Sequence, residues 1–69
     1  MISKRAEEIS LWFSNDEGLY RVARYYVRRY TKDKAAAMIL SELQDCGITE
    51  TPNGVPYSFS SIRYAIRGF

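Results

Sequence analysis

The chain has no histidine and a single cysteine, Cys46. An internal disulfide is therefore excluded, as is every zinc site of ordinary Cys/His composition and any His-dependent triad or general base. Phosphate-cradling loops are missing too: neither Gly-x-x-x-x-Gly-Lys nor Gly-x-Gly-x-x-Gly occurs. The N-terminus carries Glu7 and Glu8 and no apolar run, so it does not read as a signal peptide, and no stretch reaches membrane-spanning length. Repeats, low-complexity tracts and flexible linkers are absent. Two carboxylate pairs are adjacent in sequence, Glu7 with Glu8 and Asp16 with Glu17, while Glu42 and Asp45 fall on the outer side of the third predicted helix. Adjacent helix positions point about 100° apart, so neither pair makes a shared acid–base site. The serines near Ser58 have no base to activate them. No enzyme, cofactor or metal is expected. The lack of a disulfide framework fits a reducing cytoplasm, and Cys46 is expected to be a small buried residue.

What is present is apolar, aromatic and unevenly charged. With 69 residues the chain is read as one domain, residues 1–69. Its core can supply only a few kcal/mol of net stability, so a homodimer, or folding on a partner, is a natural expectation. Hydrophobic content of 46% argues against disorder. Aromatic residues make up 14% of the chain and six are tyrosines, which pack a ring while keeping a hydroxyl at a wet surface. The net charge is only +2, but the distribution is informative: Arg21, Arg24, Arg28, Arg29, Lys32 and Lys34 lie close together against one acid, Asp33.

Periodicity predicts four short helices and an all-α fold. The first runs from about Ser3 to Phe13, with Ile2, Ala6, Ile9 and Trp12–Phe13 inward and Lys4, Arg5, Glu7, Glu8 and Ser10 solvated. Asn15 or Asp16 caps a second helix, Glu17 to Tyr30. Its apolar stripe is Leu19, Val22, Ala23, Tyr26, Val27 and Tyr30; opposite lie Arg21, Arg24, Tyr25, Arg28 and Arg29. That basic face reads either as a solvated surface or as a phosphate-tracking one. Thr31 is the better cap for a third helix that reaches Cys46 and points Ala36, Ile39, Leu40 and Leu43 inward. Gly47 suits the C′ position, with Ile48 as its apolar companion. Pro52, Asn53–Gly54 and Pro56 then mark a turn or small wing with Asn53–Gly54 at its tip and Val55 and Tyr57 beneath it. Ser58 caps a fourth helix, residues 59–67, that buries Phe59, Ile62 and Ile66 beside Ala65. Ser60, Ser61, Arg63, Tyr64 and Arg67 are expected to face out, and Phe69 to pack back on the core.

Ile39–Leu40, Leu43, Gly47–Ile48, Thr51–Pro52, Gly54, Pro56–Tyr57–Ser58, Ser61–Ile62–Arg63 and Ile66–Arg67 together resemble a DNA-binding segment of the large serine recombinases. The family pattern is a helix, a Gly-Ile cap, a Thr-Pro-x-Gly turn, an aromatic–Ser pair and a helix bearing Ser-Val/Ile-Arg and a later Leu/Ile-Arg. The family's usual Trp is Tyr57 here, and its basic turn residue is Asn53. No catalytic serine domain precedes the segment, so the resemblance implies DNA binding and not strand cleavage.

These readings combine into a small non-enzymatic protein for double-stranded DNA, with a helix-turn-helix-like C-terminal half. The expected role is a transcriptional regulator or recombination accessory factor. Ser60, Ser61, Arg63, Tyr64 and Arg67 are the candidates for base reading in the major groove, with Arg63 foremost for guanine. Arg21, Arg24, Arg28, Arg29, Lys32, Lys34 and Ser58 are the phosphate-contact candidates. The alternative is a protein-binding module that docks on and modulates a larger DNA-processing enzyme, since Tyr and Arg enrichment suits protein interfaces as well.

Overall fold

The computed structural model describes residues 4–69, and the fold is all-α. Four helices follow in chain order: α1 (Lys4–Asn15), α2 (Glu17–Arg29), α3 (Lys32–Asp45) and α4 (Phe59–Ala65). The expected helical roles of Ile2 and Ser3 lie outside the described residues. Helix α1 runs two residues beyond Phe13, so only Asp16 separates it from α2. Asp16 closes one helix and opens the next. Its amide donates to the Trp12 carbonyl at 2.8 Å, and its Oδ1 accepts from the Leu19 amide at 3.0 Å. Thr31 caps α3 in the same way, accepting from the Lys34 amide at 3.3 Å.

The core draws on every helix: Ile9 and Phe13 of α1, Ala23 of α2, Ala35, Ala36, Ile39 and Leu43 of α3, and Ile62, Ala65 and Ile66 around α4. Helix α4 packs chiefly on α1 and then on α3. Two consecutive buried alanines, Ala35 and Ala36, leave the little side-chain bulk that close helix approach needs.

The connection over residues 46–58 is folded. Helix α3 ends in a Schellman motif: the Gly47 amide donates to the Gln44 carbonyl at 3.0 Å and the Ile48 amide to the Leu43 carbonyl at 2.8 Å. Gly47 has φ 76°, a region in which a Cβ is strained. A β-turn follows at Thr51–Gly54, closed by the Gly54 amide on the Thr51 carbonyl at 2.8 Å. Its central pair is Pro52–Asn53, not the expected Asn53–Gly54, because proline's fixed φ suits the second turn position. Gly54, at φ 84°, instead turns the chain back so that the Thr51 amide meets the Val55 carbonyl at 2.8 Å and the Tyr57 amide meets the Thr49 carbonyl at 3.0 Å. The result is hairpin-like, with one isolated antiparallel bridge, Glu50 to Pro56.

Several burial expectations are corrected. Cys46 is exposed, because it is the C-cap residue past the last core position, Leu43. Tyr30 is exposed where α2 gives way to extended backbone. In α4, Phe59 is 43% exposed and Ser61 only 6%. Residues 61, 62, 65 and 66 share the inward arc of a helix with about 100° per residue, and Phe59, at the edge of that arc, is the first residue of the helix, directly after the Ser58 cap. Ser61 is also fixed by chemistry. Its Oγ accepts from the Ser58 amide at 3.0 Å, while Ser58 Oγ accepts from the Ser61 amide at 3.3 Å, a reciprocal capping box.

Candidate nucleic-acid interface

Helix α2 presents its basic side as an exposed surface: Arg21, Arg24, Tyr25, Arg28 and Arg29 all lie open to solvent. The cations do not hang free. Arg29 lies over the Tyr25 ring at 3.9 Å and its Nη1 reaches the Tyr25 carbonyl at 3.4 Å. Arg24 stands 5.7 Å from the Tyr20 ring and Lys34 stands 5.5 Å from the Tyr30 ring. Arg67 packs on Tyr64 at 3.7 Å and donates from Nη1 to the Tyr64 carbonyl at 2.8 Å. Each contact restricts a long side chain while leaving further N–H groups outward.

Only two cations of the described residues form ion pairs. Arg21 pairs with Glu17 one turn earlier, and Arg63 Nε donates to Asp33 Oδ1 at 2.7 Å. Arg24, Arg28, Arg29, Lys32, Lys34 and Arg67 have no carboxylate within ion-pair distance.

Tertiary packing brings the C-terminal end of α4 to the basic helix. Lys32 Nζ donates to the Arg67 carbonyl at 2.5 Å. The Phe69 ring meets Tyr20 with centroids 5.2 Å apart. A cleft of about 570 Å³ results, lined by Tyr20, Arg24, Val27, Arg28, Gly68 and Phe69. Arg24, Arg28, Lys32 and the end of α4 thus form one neighbourhood, although they come from three separated stretches of sequence.

The α4 candidates divide. Helix α4 ends at Ala65 and not at the expected residue 67, so Ser60 is exposed on the helix and Arg67 is exposed in the turn beyond its Ile66 cap; Arg63 and Tyr64 are half-buried. The expectation that Ser61 faces out is overturned, since its hydroxyl is spent inside the capping box. Ser58 is exposed and caps the helix, its Oγ accepting from the Ser61 amide. Arg63 is anchored to α3 through Asp33, which takes it from first to second place among base-reading candidates; Arg67 is the freer guanidinium.

Two polar features escaped sequence reading. Thr51 is 2% exposed, and its hydroxyl donates to Glu8 Oε2 at 2.6 Å while accepting from the Val55 amide at 3.1 Å. A Thr preceding Pro in a turn was the available signal for the local bond; the link to Glu8 had none. Glu42 of α3 stands beside Tyr26, whose phenol is pushed up by partial burial first and by the Glu42 charge second. Among the described residues no three metal-ligating side chains converge, and no helix is long and apolar enough to cross a membrane. No protein-family model, curated protein or solved structure matches this chain.

Proposed function

We propose that the protein is a small double-stranded-DNA-binding module of a regulator or recombination accessory factor. The carrying observation is the cationic neighbourhood of Arg24, Arg28, Lys32 and the end of α4, joined by the Lys32–Arg67 and Tyr20–Phe69 contacts and free of carboxylate partners. Cations without carboxylate partners suit a row of phosphates, because binding them releases condensed counterions and sacrifices no internal ion pair. Helix α4 has 7 residues, hence a length of about 10 Å, and its diameter of about 10–12 Å fits the roughly 12 Å width of the major groove. Its outer side offers Ser60, with Arg63 available once it leaves Asp33, and Arg67 follows in the turn just past its cap. The similarity of residues 39–67 to the recombinase segment supports the same reading. The connection before α4 exceeds the three or four residues of the simplest helix-turn-helix, so the helix would be presented by its hairpin-like support.

The test is duplex binding across a salt series, with selection from randomised sites. Arg28→Ala should weaken binding to all sequences alike and lower the salt slope by about one phosphate contact. Arg67→Ala should cost about 1–3 kcal/mol on the selected site and relax preference at one position. Equal losses on random and selected DNA for both variants would remove the groove-reading role of α4. Absence of binding at low salt would reject DNA altogether.

A further inference from the structure

A second surface has the opposite character. Between the start of α2, the end of α3 and the 48–57 connection lies a groove of about 740 Å³. Leu19, Val22, Ile48 and Tyr57 give it an apolar lining, and Asp16, Glu42 and Glu50 stand along it. None of its lining residues borders the basic cleft of α2 and Phe69. Ile48 is 44% exposed although it is a large aliphatic side chain. Glu42 Oε2 is shut off from solvent and has no hydrogen-bond partner. The Tyr26 phenol is the carboxylate's polar neighbour, and the Glu42 charge adds to the acidic rim that Asp16 and Glu50 give the groove.

We propose that this groove docks a segment of a protein partner that pairs apolar anchors with lysine or arginine. Charge complementarity selects this occupant. The three carboxylates repel phosphate, which excludes nucleic acid from the groove, and they favour a cationic segment whose aliphatic side chains cover Leu19, Val22 and Ile48. One such donor reaches Glu42. The Leu11 face of a second copy is a poorer fit: this exposed side chain sits one turn from Glu7 and Glu8, which would meet the groove acids as like charges. This assignment stands independently of DNA binding, and together the two surfaces make the chain a bridge between a nucleic acid and a basic protein segment.

The experiment is selection of a displayed random 12-residue peptide library on the full chain, followed by titration of the enriched peptides. Two variants serve as controls. Ile48→Lys alters an exposed side chain, and Glu42→Gln keeps shape and removes charge; circular dichroism confirms that each is folded. Enriched peptides should combine apolar residues with Lys or Arg, lose at least tenfold in affinity on Ile48→Lys, and lose about fivefold on Glu42→Gln. A dye on Cys46, the sole cysteine and a groove residue, should report their binding. Both variants should bind duplex DNA as the parent does. Acidic enriched peptides, no enrichment, or affinity insensitive to both variants would overturn the proposal. Sedimentation showing a dimer that Ile48→Lys dissociates would overturn it in favour of a second copy.

Discussion

Thr51 links the 46–58 connection to α1 with one hydroxyl, which donates to Glu8 and accepts from the Val55 amide. Valine at this site keeps the volume and loses both bonds, leaving a part-buried amide unpaired. Thr51→Val is expected to lower stability by about 1–3 kcal/mol, read from urea midpoints at unchanged slope. Asp33 illustrates a different balance. Its bond to Arg63 is exposed on the acid's side, so the pair adds little to stability. Yet Asp33 holds the guanidinium back and sets a negative charge beside a cationic surface. Asp33→Asn is therefore expected to tighten duplex binding while moving the melting temperature only slightly; weaker binding would count against α4 as a DNA-facing element.

At the scale of the element, the α3 terminus shows how one residue sets a direction of chain. Gly47 has φ 76°, and no heavy atom lies within 4 Å of where its Cβ would be. Substitution therefore meets backbone strain and no clash. Gly47→Ala should cost about 1–2 kcal/mol, by thermal or urea unfolding. The chain leaving α3 would swing, and Ile48, Thr51 and Tyr57 would shift with it. Helix α4 depends on the same support. It is short, it is stabilised by the Ser58–Ser61 capping box, and it owes its register to Ile62, Ala65 and Ile66 against α1 and α3. Isolated helices of this length do not hold in water, so its outward face exists only as a product of packing.

At the scale of the whole molecule, the fold spans 29 × 29 × 19 Å. On the proposed function, one copy would cover less than the roughly 34 Å of a DNA turn, and an extended site would call for neighbouring copies or a partner protein. Global stability also carries an alkaline signature. Tyr57 stacks edge-on to Phe13 at 6.3 Å, and burial, then Asp16 and then Glu8, push its phenol above the ordinary value of 10.0. The folded state thus keeps this proton at a pH where the unfolded chain releases it. The associated stability is complete below the unfolded value and is lost as pH rises through the folded one. Tyr57→Phe should flatten the fall of melting temperature above about pH 10; an unchanged slope would show that Tyr57 titrates as in the unfolded chain.

The sequence by itself determined the all-α class, the Asp16, Thr31 and Ser58 caps, the Gly47 terminus and most of the core stripe, including Ile9, Phe13, Ala23, Ile39, Leu43, Ile62 and Ile66. These follow from local rules: helical period, the chemistry of orphan amides, and the left-handed freedom of glycine. It also placed a run of cations on one side of α2. Tertiary structure alone decided which of them meet the end of α4, through Lys32 and Phe69. It decided that Ser61 turns in and Phe59 out, that Arg63 is held by Asp33, and that Thr51 reaches Glu8. Helical period states that a stripe exists but leaves its edges open by a residue or two. Contacts such as Arg63–Asp33 and Thr51–Glu8, 30 and 43 residues apart, depend on how helices cross, and no local pattern encodes that.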